Sequence, residues 1–322
     1  MVGPADIVDA AKRLQPIITR TPLISSPVLD DVAGGRVLLK AENLQRTGSF
    51  KMRGAYNLLS QLTPGQAALG VIAFSSGNHA QAVAAAGTLL GIETTIVMPE
   101  DAPTIKIENT RRLGGTTVLY DRYTEDRDSI ARNIAADRGC EVVPPYDHEH
   151  IIAGQGTAGL EIAAQCGDHG VTPDQALVCC SGGGLTAGCA IALCDAYPDI
   201  EIFAVEPAAF DDTARSLESG QRESIDVSAK SICDALQVAT PGQITFDINK
   251  RLLAGATAVT DDEVRETIRF AFRHLKLVVE PGGAAALAAV LSGKVETRDK
   301  VTVAVVSGGN IDAKMFASIQ EG

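Results

Sequence analysis

Short apolar runs alternate with helix-length segments along most of this chain. That alternation restricts the fold more than any other feature. Gly70-Val-Ile-Ala-Phe74, Thr94-Thr-Ile-Val-Met98, Thr116-Thr-Val-Leu-Tyr120 and Glu141-Val-Val143 each read as strands. Helical patterns over 78–90, 104–113 and 124–138 lie between them, with Gly91 and Gly114-Gly115 as stops. The pattern resumes after Pro144-Pro145-Tyr146, the best candidate boundary. Helices over 156–166 and 185–197 then alternate with strands at Ala176–Cys180, Glu201–Val205 and Val301–Val306. Thr260-Asp-Asp-Glu263 is a capping box for a further helix. The stretch 209–241 is the least regular. Strands and helices joined by short connectors imply parallel pairing. The expected fold is therefore α/β, with two lobes, each a mainly parallel twisted sheet flanked by helices. In such sheets ligands bind beyond the carboxyl ends of the strands, so the strand exits are the places to search.

Composition removes several function classes. The net charge of −12 and an aromatic content of 4%, with no Trp, argue against nucleic acid, which wants a basic face and stacking rings. The N-terminus carries no secretory signal pattern. The longest apolar run, Ala284–Leu291, is far short of a membrane span. Seven cysteines, an odd number with no Cys-x-x-Cys pair, fit neither a disulfide framework nor a zinc site. Cys179 and Cys180 read as buried small hydrophobes. The expectation is a cytoplasmic protein with a small-molecule partner.

Three strand exits are alike. Phe74 runs into Ser75-Ser76-Gly77-Asn78-His79, Cys180 into Ser181-Gly182-Gly183-Gly184-Leu185, and Val306 into Ser307-Gly308-Gly309-Asn310. Ser181 to Gly184 leads into a helix and has the makings of an anion cradle. Glycine permits close backbone approach, and the free N–H groups of a helix start point at the anion. Taken alone it is also a tight strand–helix turn; three such exits weigh toward a site where backbone approaches a ligand. Lys51 lies between Phe50 and Met52. A lone lysine is ordinarily a solvated charge, but burial lowers an amine's pKa and makes it nucleophilic. A phosphate cradle plus an amine nucleophile suggests a phosphorylated carbonyl cofactor held as a Schiff base, which is pyridoxal phosphate chemistry.

The residues now carry a family resemblance. Gly48-Ser49-Phe50-Lys51-Met52-Arg53-Gly54-Ala55 resembles the Schiff-base lysine motif of the serine/threonine dehydratase and serine racemase family. These are fold-type II (tryptophan-synthase-β-like) pyridoxal phosphate enzymes, and the family includes 3-hydroxyaspartate dehydratases. Ser76–Gln81, Ala153-Gly154-Gln155-Gly156-Thr157, Ser181–Leu185 and Ser307–Asn310 are similar to its other motifs, in its order and across nearly the whole chain. The resemblance implies a large cofactor-binding domain from 1–63 and 149–322, a small substrate-side domain at 64–148, and a homodimer. It also implies roles. Lys51 would hold the cofactor as an internal aldimine and act as base on Cα. Phe50 would pack on the pyridine ring, and Asn78 would bond the ring hydroxyl. Backbone N–H groups of Gly182, Gly183, Gly184 and Leu185 would hold the phosphate, and Ser307 would meet the pyridine nitrogen. Ser75, Ser76 and His79 would line the substrate carboxylate and Cα.

Further residues discriminate within the family. Ser76 stands where pure threonine dehydratases tend to carry Ala and racemases Ser. Either it exchanges a proton on the face of Cα opposite Lys51, or it only bonds the carboxylate. Arg127 is either a solvated helix charge or, matching an arginine of serine racemase near bound dicarboxylates, a fork for a second carboxylate. The latter raises 3-hydroxyaspartate as substrate. Glu206, the carbonyl of Phe210 and Asp212 resemble the family's Mg²⁺ (or Ca²⁺/Mn²⁺) site, suited to a hard cation. Two departures count against serine specificity. Ser231–Leu236 replaces a segment where many members have Asp-Gly, and Val238 stands where the racemase has a substrate-contacting Ser. The chain's end at Gly322 leads us to expect no regulatory domain. The reading is a pyridoxal-phosphate-dependent ammonia-lyase acting on serine, threonine or 3-hydroxyaspartate, with serine racemase as the alternative.

Overall fold

The computed structural model describes residues 2–75, 77–102, 104–121, 123–226 and 228–322. Ten strands form two sheets: β1 (Leu23–Ser25), β2 (Arg36–Ala41), β3 (Val71–Phe74), β4 (Thr94–Pro99), β5 (Thr116–Tyr120), β6 (Glu141–Val142), β7 (Gln175–Cys179), β8 (Glu201–Pro207), β9 (Gly255–Val259) and β10 (Val301–Val306). One sheet has six strands in the order β1-β2-β10-β7-β8-β9. The other has four, β5-β4-β3-β6. Only the β1–β2 pair is antiparallel; all other described pairs are parallel. The α/β class read from the alternation is what is found.

The central strands are covered on both faces, which is why they read as unbroken apolar runs rather than alternating ones. Every residue of β4 and of β7 is buried. The helix Pro281–Leu291 packs on β10, β7 and β8. It is buried nearly all round, so it carries no polar face to mark it as amphipathic.

A second layer is built from helices alone. The helix Glu149–Asp168 lies against both Lys51–Leu59 and Gly184–Ala196. The sequence predicts this helix over 156–166, whereas it runs from Glu149 to Asp168. Its glycines are points of contact. A Cβ on Gly154 would sit 2.6 Å from the Arg53 carbonyl oxygen, and one on Gly188 would sit 2.5 Å from that of Ile152. Glycine here sets how closely three helix backbones approach.

The same layer holds a buried ionic cluster. Arg53 Nε and Nη2 donate to the two oxygens of Glu42 at 2.7 Å each. Its remaining donors reach Glu161 Oε1 at 2.9 Å, Glu161 Oε2 at 2.8 Å and Thr157 Oγ1 at 3.0 Å. Lys40 Nζ meets Glu161 Oε2 at 2.6 Å and also the carbonyl of Thr21 and Gln165 Oε1. Two cations against two carboxylates leave the cluster neutral. Burial disfavours charge on Arg53, but Glu42 and Glu161 more than offset this and raise its pKa.

Smaller boundary differences have local causes. The helix expected over 124–138 begins at Arg127, because the Asp126 carboxylate caps it by accepting from Asp128 N and Ser129 N. The 260–263 capping box is formed in both directions. The irregular stretch after Ala209 contains one helix, Asp212–Ser219, and a short 3₁₀ turn at Asp234–Leu236.

Removing Arg53 strands the buried Glu42 carboxylate and leaves Glu161 with Lys40 as its cation. Arg53→Met is expected to destabilise the protein by about 3–5 kcal/mol, read as a fall in the urea midpoint.

Candidate active site

The Lys51 helix starts beside the exit of β10, and backbone bonds stitch the two together. Ser49 and Gly308 form an isolated antiparallel bridge. Phe50 N donates to Ser307 O at 3.1 Å, and Gly309 N to Gly48 O at 2.9 Å. The exits of β3 and β7 open into the same space. All three border one cleft of about 770 Å³, within the range of small-molecule sites. Phe50, Lys51, Ser75, Asn78, His79, Arg127, Gly182, Gly183, Gly184, Leu185, Phe210 and Ser307 line it. Ser76 lies outside the described residues. Glu206 and Asp212 sit apart from the cleft, at the end of β8 and the start of the next helix.

Lys51 Nζ donates to the Pro145 carbonyl at 2.6 Å and lies 5.2 Å from the centroid of the Phe50 ring. The cleft walls desolvate it, which pulls its pKa down to about 8. His79 is buried, and burial followed by the Lys51 charge drops its pKa to about 3. Its Nε2 is 3.0 Å from the Val143 carbonyl, which can only accept. The ring is therefore neutral with its proton on Nε2. Ser307 is buried, and burial raises the pKa of the Cys179 thiol in the same cleft to about 11.

The 182–184 turn fits a phosphate. Gly183 has φ +91°, a conformation L side chains rarely adopt, and it caps the helix Gly184–Ala196. The Gly182 carbonyl is turned away, accepting from Thr245 Oγ1 at 2.6 Å and from Gly242 N. The first N–H groups of the helix have no carbonyl a turn back to receive them, and the helix dipole favours an anion there. Tyr146 closes over the turn, so that a Cβ on Gly182 would lie 2.4 Å from its ring. The exit at Gly308 and Gly309 differs from expectation. The space a Cβ would need there is filled by protein, by Glu280 Oε1 and by the Val278 carbonyl. These glycines make room for side chain and backbone, not for a ligand.

Three further residues of this cleft, Glu280, Asn310 and Asp147, carry no role in the sequence motifs. Glu280, at the start of the helix Pro281–Leu291, accepts from Asn78 Nδ2 at 2.6 Å. Burial and then the Asp234 charge raise its pKa to about 8. Asn310 Nδ2 donates to Asn78 Oδ1 at 2.7 Å. Asp147, just after Tyr146, accepts from Gln243 N and Ile244 N at 2.9 Å each and from Thr245 N at 3.2 Å. It thus ties the strap 144–148 to the helix that backs the glycine turn. A carboxylate directly before Pro281 and the polar run behind the double proline were the available signals. Both read more simply as a helix start and a boundary.

Arg127 opens the helix Arg127–Arg138 at the cleft mouth, its guanidinium carbon 5.6 Å from the Phe74 ring centroid. Lys106 and Arg222 add cations to the lining, and Ala235 and Val238 add apolar wall. Away from the cleft, Glu206 accepts from Thr213 N and Ala214 N at 2.9 Å each. Both oxygens of Asp212 are buried without a hydrogen-bond partner. Burial, then Asp212, raises Glu206 to about 8; burial raises Asp212 to about 7. Two desolvated carboxylates, one of them unpartnered, fit a hard cation completed by water. Among the described residues no cluster of three or more His, Cys, Asp or Glu is gathered for a metal. No described helix is long and apolar enough to cross a membrane.

Known proteins match this arrangement closely. The family model described as "Pyridoxal-phosphate dependent enzyme" matches residues 14–308. The chain is 43% identical over 317 residues to an L-threo-3-hydroxyaspartate ammonia-lyase of a Pseudomonas species, covering 98% of each chain. It is 40% identical over 317 residues to the L-threo-3-hydroxyaspartate ammonia-lyase of Saccharomyces cerevisiae, covering 98% of this chain and 96% of the other. Among solved structures, maize serine racemase superposes with a TM-score of 0.93 at 34% identity, over 99% of this chain and 97% of that one.

The lowered Lys51 pKa has a direct readout. With a pKa of about 8, the neutral, reactive amine is a minority at pH 7 and dominates above pH 8. In the cofactor-free protein, acylation of Lys51 by a small reagent, followed by peptide mass spectrometry, is expected to reach half its maximal rate near pH 8. Exposed lysines should reach it near their usual ~10.4.

Proposed function

The chain belongs to the family of pyridoxal-phosphate-dependent enzymes, and from that premise we propose that it is an ammonia-lyase that dehydrates a β-hydroxy amino acid, 3-hydroxyaspartate above serine or threonine. The observation that carries the chemistry is the desolvated Lys51 amine facing the same cleft as the Gly182–Gly184 turn. When bound, the cofactor supplies an electron-withdrawing system that acidifies the substrate's Cα proton. Lys51 Nζ would hold the cofactor, and its neutral amine would take that proton. Backbone N–H groups of Gly182, Gly183, Gly184 and Leu185 would hold the phosphate, and Phe50 would pack on the ring. Asn78 would bond the ring oxygen, and Ser307 would offer the ring nitrogen a hydroxyl, which does not oblige it to be protonated. By the family resemblance Ser75 and Ser76 would serve the substrate carboxylate and Cα together with His79, whose neutral ring adds no charge. The substrate loses its Cα proton and its β-hydroxyl as water. The resulting enamine hydrolyses to a 2-oxo acid and ammonia, so 3-hydroxyaspartate gives oxaloacetate.

Two observations favour a dicarboxylic substrate. Arg127 stands at the mouth with its planar fork backed by the Phe74 ring, and the relatives at 43% and 40% identity are named for 3-hydroxyaspartate. Val238, which by the family resemblance stands where the racemase has a substrate-contacting Ser, lines the cleft beside Ala235. The racemase reading is supported by Ser76 and by the likeness to maize serine racemase. We further propose that 64–148 forms the substrate-side domain against 1–63 and 149–322, and that the enzyme works as a cytoplasmic homodimer. Free cysteines throughout support a reducing compartment, and exposed Leu44, Phe272 and Val278 supply apolar surface for self-association. Glu206, the Phe210 carbonyl and Asp212 would hold Mg²⁺ in a stabilising role.

A substrate panel tests the assignment. 2-Oxo acid and ammonia should form fastest from an isomer of 3-hydroxyaspartate; D-serine accumulating faster than pyruvate from L-serine would establish the racemase instead. Arg127→Ala should cut kcat/KM for 3-hydroxyaspartate by about 10- to 100-fold, the worth of a charged hydrogen bond, and that for serine far less. Chelation should lower Tm, Mg²⁺ should restore it by mass action, and Asp212→Asn should abolish the response.

A further inference from the structure

Asn78 is held between two partners of opposite polarity. Its Oδ1 accepts from Asn310 Nδ2 at 2.7 Å, and its Nδ2 donates to Glu280 Oε1 at 2.6 Å. Asn310 Nδ2 spends its other N–H on the Thr47 carbonyl at 2.8 Å. A backbone carbonyl can only accept, so it fixes which end of Asn310 is the donor, and Asn310 fixes Asn78 in turn. Flipping the Asn78 amide would set N–H against N–H at the Asn310 end. Thr47 itself sits at φ 67°, a left-handed conformation that costs a non-glycine residue free energy and persists only where surroundings impose it.

The backbone is cut to fit this relay. A Cβ at position 48 would lie 2.4 Å from Asn310 Oδ1, and one at position 308 would lie 2.0 Å from Glu280 Oε1. Two glycines of the recognised motifs therefore leave room for the carboxyl and amide of the relay. One N–H of Asn78 remains, and Asn78, Glu280 and Asn310 all border the cleft.

We propose that Glu280 is a positioning residue that fixes Asn78 as a hydrogen-bond donor to the cofactor, so that the ring oxygen is received as an acceptor, in its anionic form. This rests on the pyridoxal phosphate reading above. A donor amide stabilises an anionic oxygen and gives less to a neutral hydroxyl that must itself donate. The relay thereby selects one protonation state of the ring before any substrate arrives.

The test uses apoprotein reconstituted with pyridoxal phosphate, reading the dissociation constant, the ratio of long- to short-wavelength absorbance bands of the bound cofactor, and the apoprotein Tm. Glu280→Gln keeps an acceptor oxygen and should hold the dissociation constant within about threefold, with the wild-type band. Glu280→Leu removes the acceptor and should weaken binding at least tenfold and move absorbance toward the short-wavelength band, at an apoprotein Tm that shows it folded. Glu280→Leu behaving as wild type in either readout, or Glu280→Gln failing as badly as Glu280→Leu, overturns the proposal. Should Glu280→Leu not fold, Asn310→Ala removes the other restraint and is read by the same criteria. A wild-type protein that takes up no pyridoxal phosphate refutes the functional reading itself, which the variants leave untouched.

Discussion

The buried guanidinium of Arg53 is the junction on which the rest of the site depends. Two residues before it on the same helix is Lys51. Its donors reach Glu42, just past β2, and Glu161 and Thr157 on the long helix that also touches the helix behind the glycine turn. Desolvating a cation is costly and is offset here only because nearly every donor has a charged or polar acceptor. The geometry is consequently exacting. Rotating the Lys51 helix would break several charge-assisted bonds at once, which keeps the nucleophilic amine at one place in the cleft.

Close backbone contact complements that electrostatic pin. Where Gly154 meets the Lys51 helix and Gly188 meets the long helix, the separation is set by the absence of a methyl group. The two halves of the site, amine and anion cradle, are carried on helices whose spacing to a common third helix cannot relax outward without losing buried contact. Rigid helices holding reactive groups in register is what preorganised chemistry requires. The strap at 144–148 adds a second tie, since Asp147 caps the helix that supports the Gly182 carbonyl through Thr245.

Much of this was legible in the sequence, and the exceptions share a cause. The alternating pattern gave the sheets because strands buried on both faces leave continuous apolar runs, as β4 and β7 do. Lys51, Asn78 and the 182–185 turn were legible because residue type and chain order both pointed to one cofactor. The helix begins at Glu149, ahead of the 156 its pattern predicts, and the poor helix propensity of Gly154 is offset there by tertiary contact with Arg53 and Gly54. Glu280 and Asn310 had no legible role because their meaning is a mutual orientation across more than two hundred residues of chain for the Asn78 contacts. A one-dimensional pattern does not carry that information.

The cleft has two kinds of wall, and the difference bears on how such an enzyme diversifies. The floor is defined by absent methyl groups, at 48, 182, 183 and 308, where nearly any substitution collides with protein. The mouth is defined by side chains, Arg127, Ala235 and Val238, which border open space. Mutation can reach the mouth without disturbing the floor. On the proposed reading, a lineage on this scaffold can drift among amino-acid substrates by a few exchanges at the rim while its cofactor chemistry is inherited intact, which makes substrate choice the evolvable half of the site.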